Sequence, residues 1–129
     1  MPPLDNLQRV PLYHLEALER QVIFTTGLLL EVSETSTRRQ YLADQIGATT
    51  NDVDAWRDEA LLLNLANFGA NEQVLFTQAG IIGLSDLLAL DTDASRMKLE
   101  RAAHILGLDP PTDLMIDSWW EQAHTLGEE

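Results

Sequence analysis

The stretch Leu65–Leu90, LANFGANEQVLFTQAGIIGLSDLLAL, constrains the chain more than any other. Two short apolar-periodic segments are separated by glycines and leave no room for a strand between them. Asn71 can cap the first segment, since its side-chain oxygen can accept from an orphan N–H of the first turn. Val74, Leu75 and Gln78–Ala79 then follow at spacings of three and four, which gives one apolar face. Gly80 stands where a left-handed residue ends a helix. Ile81 and Ile82 can fold back on it, Gly83 breaks the chain again, and Leu84 or Ser85 opens a second short helix ending near Leu90.

An older version of this unit opens the chain. Leu7 falls on Leu65, Val22-Ile23 on Gly80-Ile81, Leu29-Leu30 on Leu87-Leu88, and Arg38 on Arg96. Further on, Gly47 meets Gly107, and Trp56-Arg-Asp-Glu-Ala60 meets Trp119-Trp-Glu-Gln-Ala123. The offset drifts from about 58 to about 63 residues, so the second copy has gained residues, most simply in a loop at Pro110-Pro111. A period of this size in a helical chain points to a duplicated supersecondary unit. Each half alone would bury little surface, so the expectation is two halves packed as one domain.

The rest of the chain reads as helices with clear stops. Residues 1–6 are expected to be a flexible arm, because Pro2 and Pro3 cannot donate hydrogen bonds. Pro11 suits the first position of a helix whose apolar face is Leu12, Leu15, Leu18 and Val22. Thr25 or Thr26 caps the next, which carries Leu28–Val32. A third runs from about Thr37 to Ile46 and stops at Gly47. Thr49, Thr50 and Asn51 offer caps for a long helix through Val53, Trp56, Ala60 and Leu63. Thr92 or Asp93 caps a helix ending at Gly107. Asp109-Pro110-Pro111 is a hard break. Thr112 caps the last helix, with Leu114, Ile116, Trp119, Trp120, Ala123 and Leu126 apolar and Gly127 as its stop. No stretch alternates like a strand. The expected fold is all-α: two helix-hairpin-helix-like repeats of about four short helices, 7–64 and 65–129.

The order of these motifs resembles a family of bacterial domains of unknown function built from tandem helix-hairpin-helix motifs. Leu65-Ala-Asn-Phe68-Gly69 corresponds to the hairpin, Ala79-Gly80-Ile81 to an A-G-I motif, Leu42-Ala43 with Ile46-Gly47 to an L-A-x-x-x-G motif, and Trp56 to a tryptophan in the following helix. The resemblance implies a scaffold of the helix-hairpin-helix type over roughly Leu7 to Leu126. A nucleic-acid-binding hairpin presents glycine backbone N–H groups to a phosphate, helped by nearby bases. Here the turns are degenerate. The first reads Val10-Pro11-Leu12-Tyr13-His14, with no glycine. The second reads Phe68-Gly69-Ala70-Asn71-Glu72, with one glycine and a carboxylate that would repel phosphate.

Charge argues the same way. Of 129 residues, 21 are acidic and eight basic, so the net charge is −13. Such a chain repels phosphate backbones and anionic membranes and attracts basic surfaces; its charge also serves solubility. No apolar run approaches the roughly 20 residues that span a bilayer. There is no cysteine. With no basic start followed by an apolar run, no signal peptide is read, and a cytoplasmic location is expected.

No catalytic set is visible. His14, His104 and His124 are scattered, so no metal or cofactor is expected. Asp91-Thr-Asp93-Ala-Ser95 starts like a calcium loop, but it lacks the glycine at its sixth place and the closing glutamate. Asp113, Asp117 and Glu121 lie four apart on the last helix, as Asp54 and Asp58 do on the equivalent one. Each set is either a solvated face or a docking stripe. Trp120 aligns with Arg57, a surface position, and is a candidate interface anchor. The expectation is a non-enzymatic protein-interaction or adaptor domain, with self-association as a homodimer open to it. Its partner would be a basic or amphipathic protein surface met by Asp113, Asp117, Trp120 and Glu121. The alternative is a nucleic-acid-associated protein acting directly or through a partner.

Overall fold

The computed structural model describes residues 2–127. Eight α-helices form, and no strand occurs among the described residues. They are α1 (Leu12–Arg20), α2 (Thr26–Val32), α3 (Ser36–Ile46), α4 (Thr50–Leu63), α5 (Ala70–Gln78), α6 (Leu84–Leu88), α7 (Thr92–Leu106) and α8 (Asp113–Gly127). The chain divides into two compact units, one up to Asn64 and one from Leu65.

In the first unit α2 and α3 pack on α4, and α1 packs on α3. Leu18, Leu29, Val53, Trp56 and Ala60 are buried. Threonines start three of the helices. The hydroxyls of Thr25, Thr35 and Thr49 accept from the N–H groups of Leu28, Arg38 and Asp52. Thr49 N–H also donates to Asp52 Oδ2 at 3.0 Å, which completes a capping box. This interaction holds the Asp52 carboxyl below its ordinary range, first through the Thr49 backbone N–H and then through its hydroxyl. Pro11 sits one residue before α1, with an extended ψ of 153°, and not at its first position.

The expected flexible arm is corrected for residues 2–6. Leu4–Asn6 form a 3-10 turn, and Leu4 is buried. Pro2 O accepts from Thr26 N–H at 3.1 Å, and Leu4 N–H donates to Phe24 O at 2.9 Å, around a Pro3–Thr25 antiparallel bridge. Proline lacks a donor, but this clasp needs only the carbonyl of Pro2 and the N–H of Leu4. Met1 lies outside the described residues.

In the second unit α6 and α7 pack on α8, and α5 packs on α7. Phe68, Phe76 and Trp119 meet edge to face, with centroids 4.8–6.1 Å apart. Asn71 is not the cap of α5. Gly69 takes that place, and Glu72 Oε1 accepts from its N–H at 2.8 Å. Asp91, one residue ahead of the expected cap, accepts from Ala94 N–H at 2.7 Å. Thr112 Oγ1 accepts from Met115 N–H, as expected. Gly47 and Gly107 end α3 and α7 in the left-handed region, at φ 71° and 70°. Gly127 lies inside α8. A Cβ there would come within 2.8 Å of Leu88 Cδ1, so this glycine permits close packing on α6.

Candidate functional site

The segments expected from the sequence to be degenerate hairpin turns, and those just ahead of them, come first. In the first unit Glu59 of α4 is only 1% exposed. Its carboxylate accepts from Gln8 N–H at 2.6 Å and Arg9 N–H at 2.9 Å. Two adjacent backbone donors are therefore closed by a negative charge of the chain itself. The Arg9 guanidinium continues to Ala55 O and to Asp58 at 3.1 Å. In the second unit Gln122 Oε1 accepts from Ala66 N–H at 3.0 Å, and the Trp119 indole donates to Ala66 O at 2.9 Å. Pro11, Tyr13, Gly69 and Asn71 are all exposed. The one remaining hairpin glycine has its N–H directed at Glu72. Ile82 and Gly83 both donate to Asp86 Oδ2 at 3.0 Å.

Sequence reasoning missed Glu59. Its signal was present, since Trp56–Ala60 aligns with Trp119–Ala123 and places Glu59 on Gln122, both one residue before a buried alanine. A polar pair at that step marks a side chain turned inward to backbone groups.

The acidic stripe of α8 is divided by a cation. Arg96 Nη2 donates to both carboxylate oxygens of Asp117, at 2.7 and 2.9 Å. Asp113 lies 3.8 Å from its Nε and Asp93 3.4 Å from its Nη1. The hydrogen bond with Asp117, reinforced by the charge of all three aspartates, raises the Arg96 pKa. Three carboxylates thus gather on one guanidinium, and Asp117 is held inward. Asp113 keeps most of its side chain exposed, and Glu121 is exposed. The α4 pair behaves similarly: Asp54 meets Arg39 at 3.7 Å and Asp58 meets Arg9. In both sets some of the carboxylates are thus paired with arginines of their own unit.

Trp120 is half-buried. Its indole donates to Leu90 O at 2.8 Å, and its ring lies 3.8 Å from that of His124. It is a wall of its own unit more than a free anchor. Arg57, expected at the surface, is half-buried as well and donates to Leu30 O and Ser33 Oγ. Desolvation is the main cause of its lowered pKa. His14 is buried against Trp56, ring centroids 5.2 Å apart. Among the described residues no group of three or more His, Asp or Glu is placed to hold a metal, and no helix is long and apolar enough to cross a membrane.

Compared with known proteins, residues 13–126 match the model of a family described as a domain of unknown function, DUF4332. No curated protein and no solved structure matches the chain.

Proposed function

We propose the following for this chain, which belongs to the DUF4332 family of domains of unknown function: it is a non-enzymatic protein-interaction domain on a duplicated helix-hairpin-helix-like scaffold. The duplication draws support from matching details in the two units. Helices α1 and α5 are both nine residues long, and each ends in a Schellman motif. Ile23 N–H reaches back to Leu18 O, and Ile81 N–H to Phe76 O. Glu59 and Gln122 tie the segments before the two hairpins from corresponding places on α4 and α8.

The observation that carries the functional reading is the closure of the hairpin corners. A phosphate needs free backbone N–H groups and a positive surround. Glu72 takes the Gly69 donor of the second hairpin, and Glu59 takes those of Gln8 and Arg9 just ahead of the first, both with negative charge. A net charge of −13 then favours a basic or amphipathic protein surface. On α8 the accessible groups for such a partner are Asp113 and Glu121, with Trp120 beside Glu121. Asp117 holds Arg96 in place behind them.

A labelled lysine-rich amphipathic peptide, titrated by fluorescence anisotropy, tests this reading. It should bind the full chain. The double variant Asp113→Lys/Glu121→Lys should bind several-fold more weakly while keeping the wild-type unfolding midpoint. Equal binding by the variant removes α8 from the interface. Tighter binding of an oligonucleotide than of the peptide overturns the reading altogether.

A further inference from the structure

We infer that the groove between the end of α5 and the length of α7 seats an acidic amphipathic helix of another protein. This goes beyond the acidic face of α8: it concerns a different surface, and a partner of opposite charge. The groove has a volume of about 320 Å³. Its floor is small, with Ala79, Ala94 and Ala102 leaving room for an incoming side chain. Its walls include Met97 and Ile105, which remain 66% and 60% exposed. Exposed apolar residues are common on this chain, and these two differ in standing on one depression with two cations.

The charge of the groove is the reverse of the molecule's. None of its lining residues is Asp or Glu, although the chain carries 21 of them. It holds Lys98, the only lysine, together with Arg101. Neither cation makes a hydrogen bond or ion pair among the described residues. By contrast, Arg9, Arg38, Arg39 and Arg96 all meet carboxylates. Two unpaired cations beside exposed apolar side chains are complementary to an apolar stripe flanked by Asp or Glu.

The spacing specifies a helix. Ala94, Met97, Arg101 and Ile105 recur at three and four residues, so they form one ridge about three turns, or roughly 16 Å, long. A second helix with the same repeat packs its own ridge beside it. The first unit has a groove at the corresponding place, from Gln21 and Ile23 past Val32 to Arg38 and Tyr41, and it too is lined by no carboxylate. There Arg38 already meets Glu34 at 3.7 Å, so the second unit carries the stronger case.

Two labelled peptides with one apolar stripe at three-four spacing provide the test, one flanked by glutamate and the other by lysine. Each is titrated with the full chain. The glutamate-flanked peptide should bind and should lose about tenfold in affinity to the Lys98→Glu/Arg101→Glu variant. It should not be weakened by Asp113→Lys/Glu121→Lys, which makes the net charge less negative. Both groove residues are exposed, and an unchanged unfolding midpoint verifies that the variant folds. No binding of the glutamate-flanked peptide, or equal binding by the groove variant, overturns the inference. So does sedimentation showing a dimer that Lys98→Glu/Arg101→Glu dissociates, since a second copy would then be the occupant. The lysine-flanked peptide reports on the α8 face separately, so either reading can fail while the other stands.

Discussion

Val22 holds a left-handed backbone and Glu59 a buried carboxylate, and each sets a test of stability at a single position. Val22 has φ 64°, in the left-handed region that β-branched residues avoid, and it follows the end of α1 as Gly80 follows the end of α5. Its side chain is 67% exposed, so little packing offsets the strain. Left-handed backbone costs an L-residue about 1–2 kcal/mol, while glycine loses about 0.5–1 kcal/mol in chain entropy. Val22→Gly should therefore raise stability by about 0.5–1 kcal/mol, and Gly80→Val should lower it by about the same amount, since the strain it adds is partly offset by the chain entropy that glycine no longer loses. Denaturant midpoints decide; a less stable Val22→Gly protein would refute the strain. Glu59 is the opposite case, a buried carboxylate with both oxygens engaged by backbone donors. In Glu59→Gln only one amide oxygen remains to face two N–H donors, so one of them is left unpaired. The expected loss is about 1–2 kcal/mol. Gln122→Ala frees only the exposed Ala66 N–H and should cost less than that, a ranking that unfolding of both variants can check.

At the scale of elements, the helices were legible wherever a local signal decided them. Gly47 and Gly107 stop α3 and α7, and Thr25, Thr49 and Thr112 cap as their hydroxyls suggest. Trp56 and Trp119 are core. What could not be read depended on a partner distant in sequence. Leu114 fits the apolar period of α8 yet is 81% exposed, because period alone does not say which turn reaches the core. The Pro2–Leu4 clasp needs a strand-like segment at Phe24–Thr26, and no short-range pattern announces it. Pro110-Pro111 is a visible break in the sequence, whereas the greater length of α7, which at 15 residues is four, about one turn, longer than the 11-residue α3, is not announced by it. The acidic stripes were read as surfaces because the spacing of Asp113 and Asp117 is visible and the approach of Arg96 is not. That approach now carries its own consequence. Arg96→Met leaves Asp93, Asp113 and Asp117 facing one another across α7 and α8. The unfolding midpoint should fall, and added salt should restore part of it by screening the repulsion. A midpoint unchanged at low salt would mean that the four groups do not act together.

For the molecule as a whole, the sign of its charge and the state of its backbone donors are separate supports for the proposal that its partner is a protein and not a nucleic acid. Net charge acts at long range and is screened beyond about 10 Å at 0.1 M salt. Donor closure acts at contact and does not depend on salt in the same way. The two can therefore be separated. If charge alone kept nucleic acid away, raising the salt would remove the repulsion, and contacts at the Gly69 hairpin would then emerge. If the amides of Gly69, Gln8 and Arg9 are held by Glu72 and Glu59, nothing emerges at any salt. The expected outcome is no binding of a labelled oligonucleotide across a salt series, in wild type and equally in Glu72→Gln, where the neutral amide oxygen can still accept from Gly69 N–H. Glu72→Ala is the informative variant. It exposes the Gly69 N–H at the start of α5 and removes one negative charge, so any residual capacity of the hairpin for phosphate should appear there, once salt has screened the net charge of the chain. Binding by Glu72→Ala alone would identify Glu72 as the group that closed an anion site. Binding by the wild-type chain at moderate salt would show that the corner was never closed, and the protein-interaction reading would lose its main support.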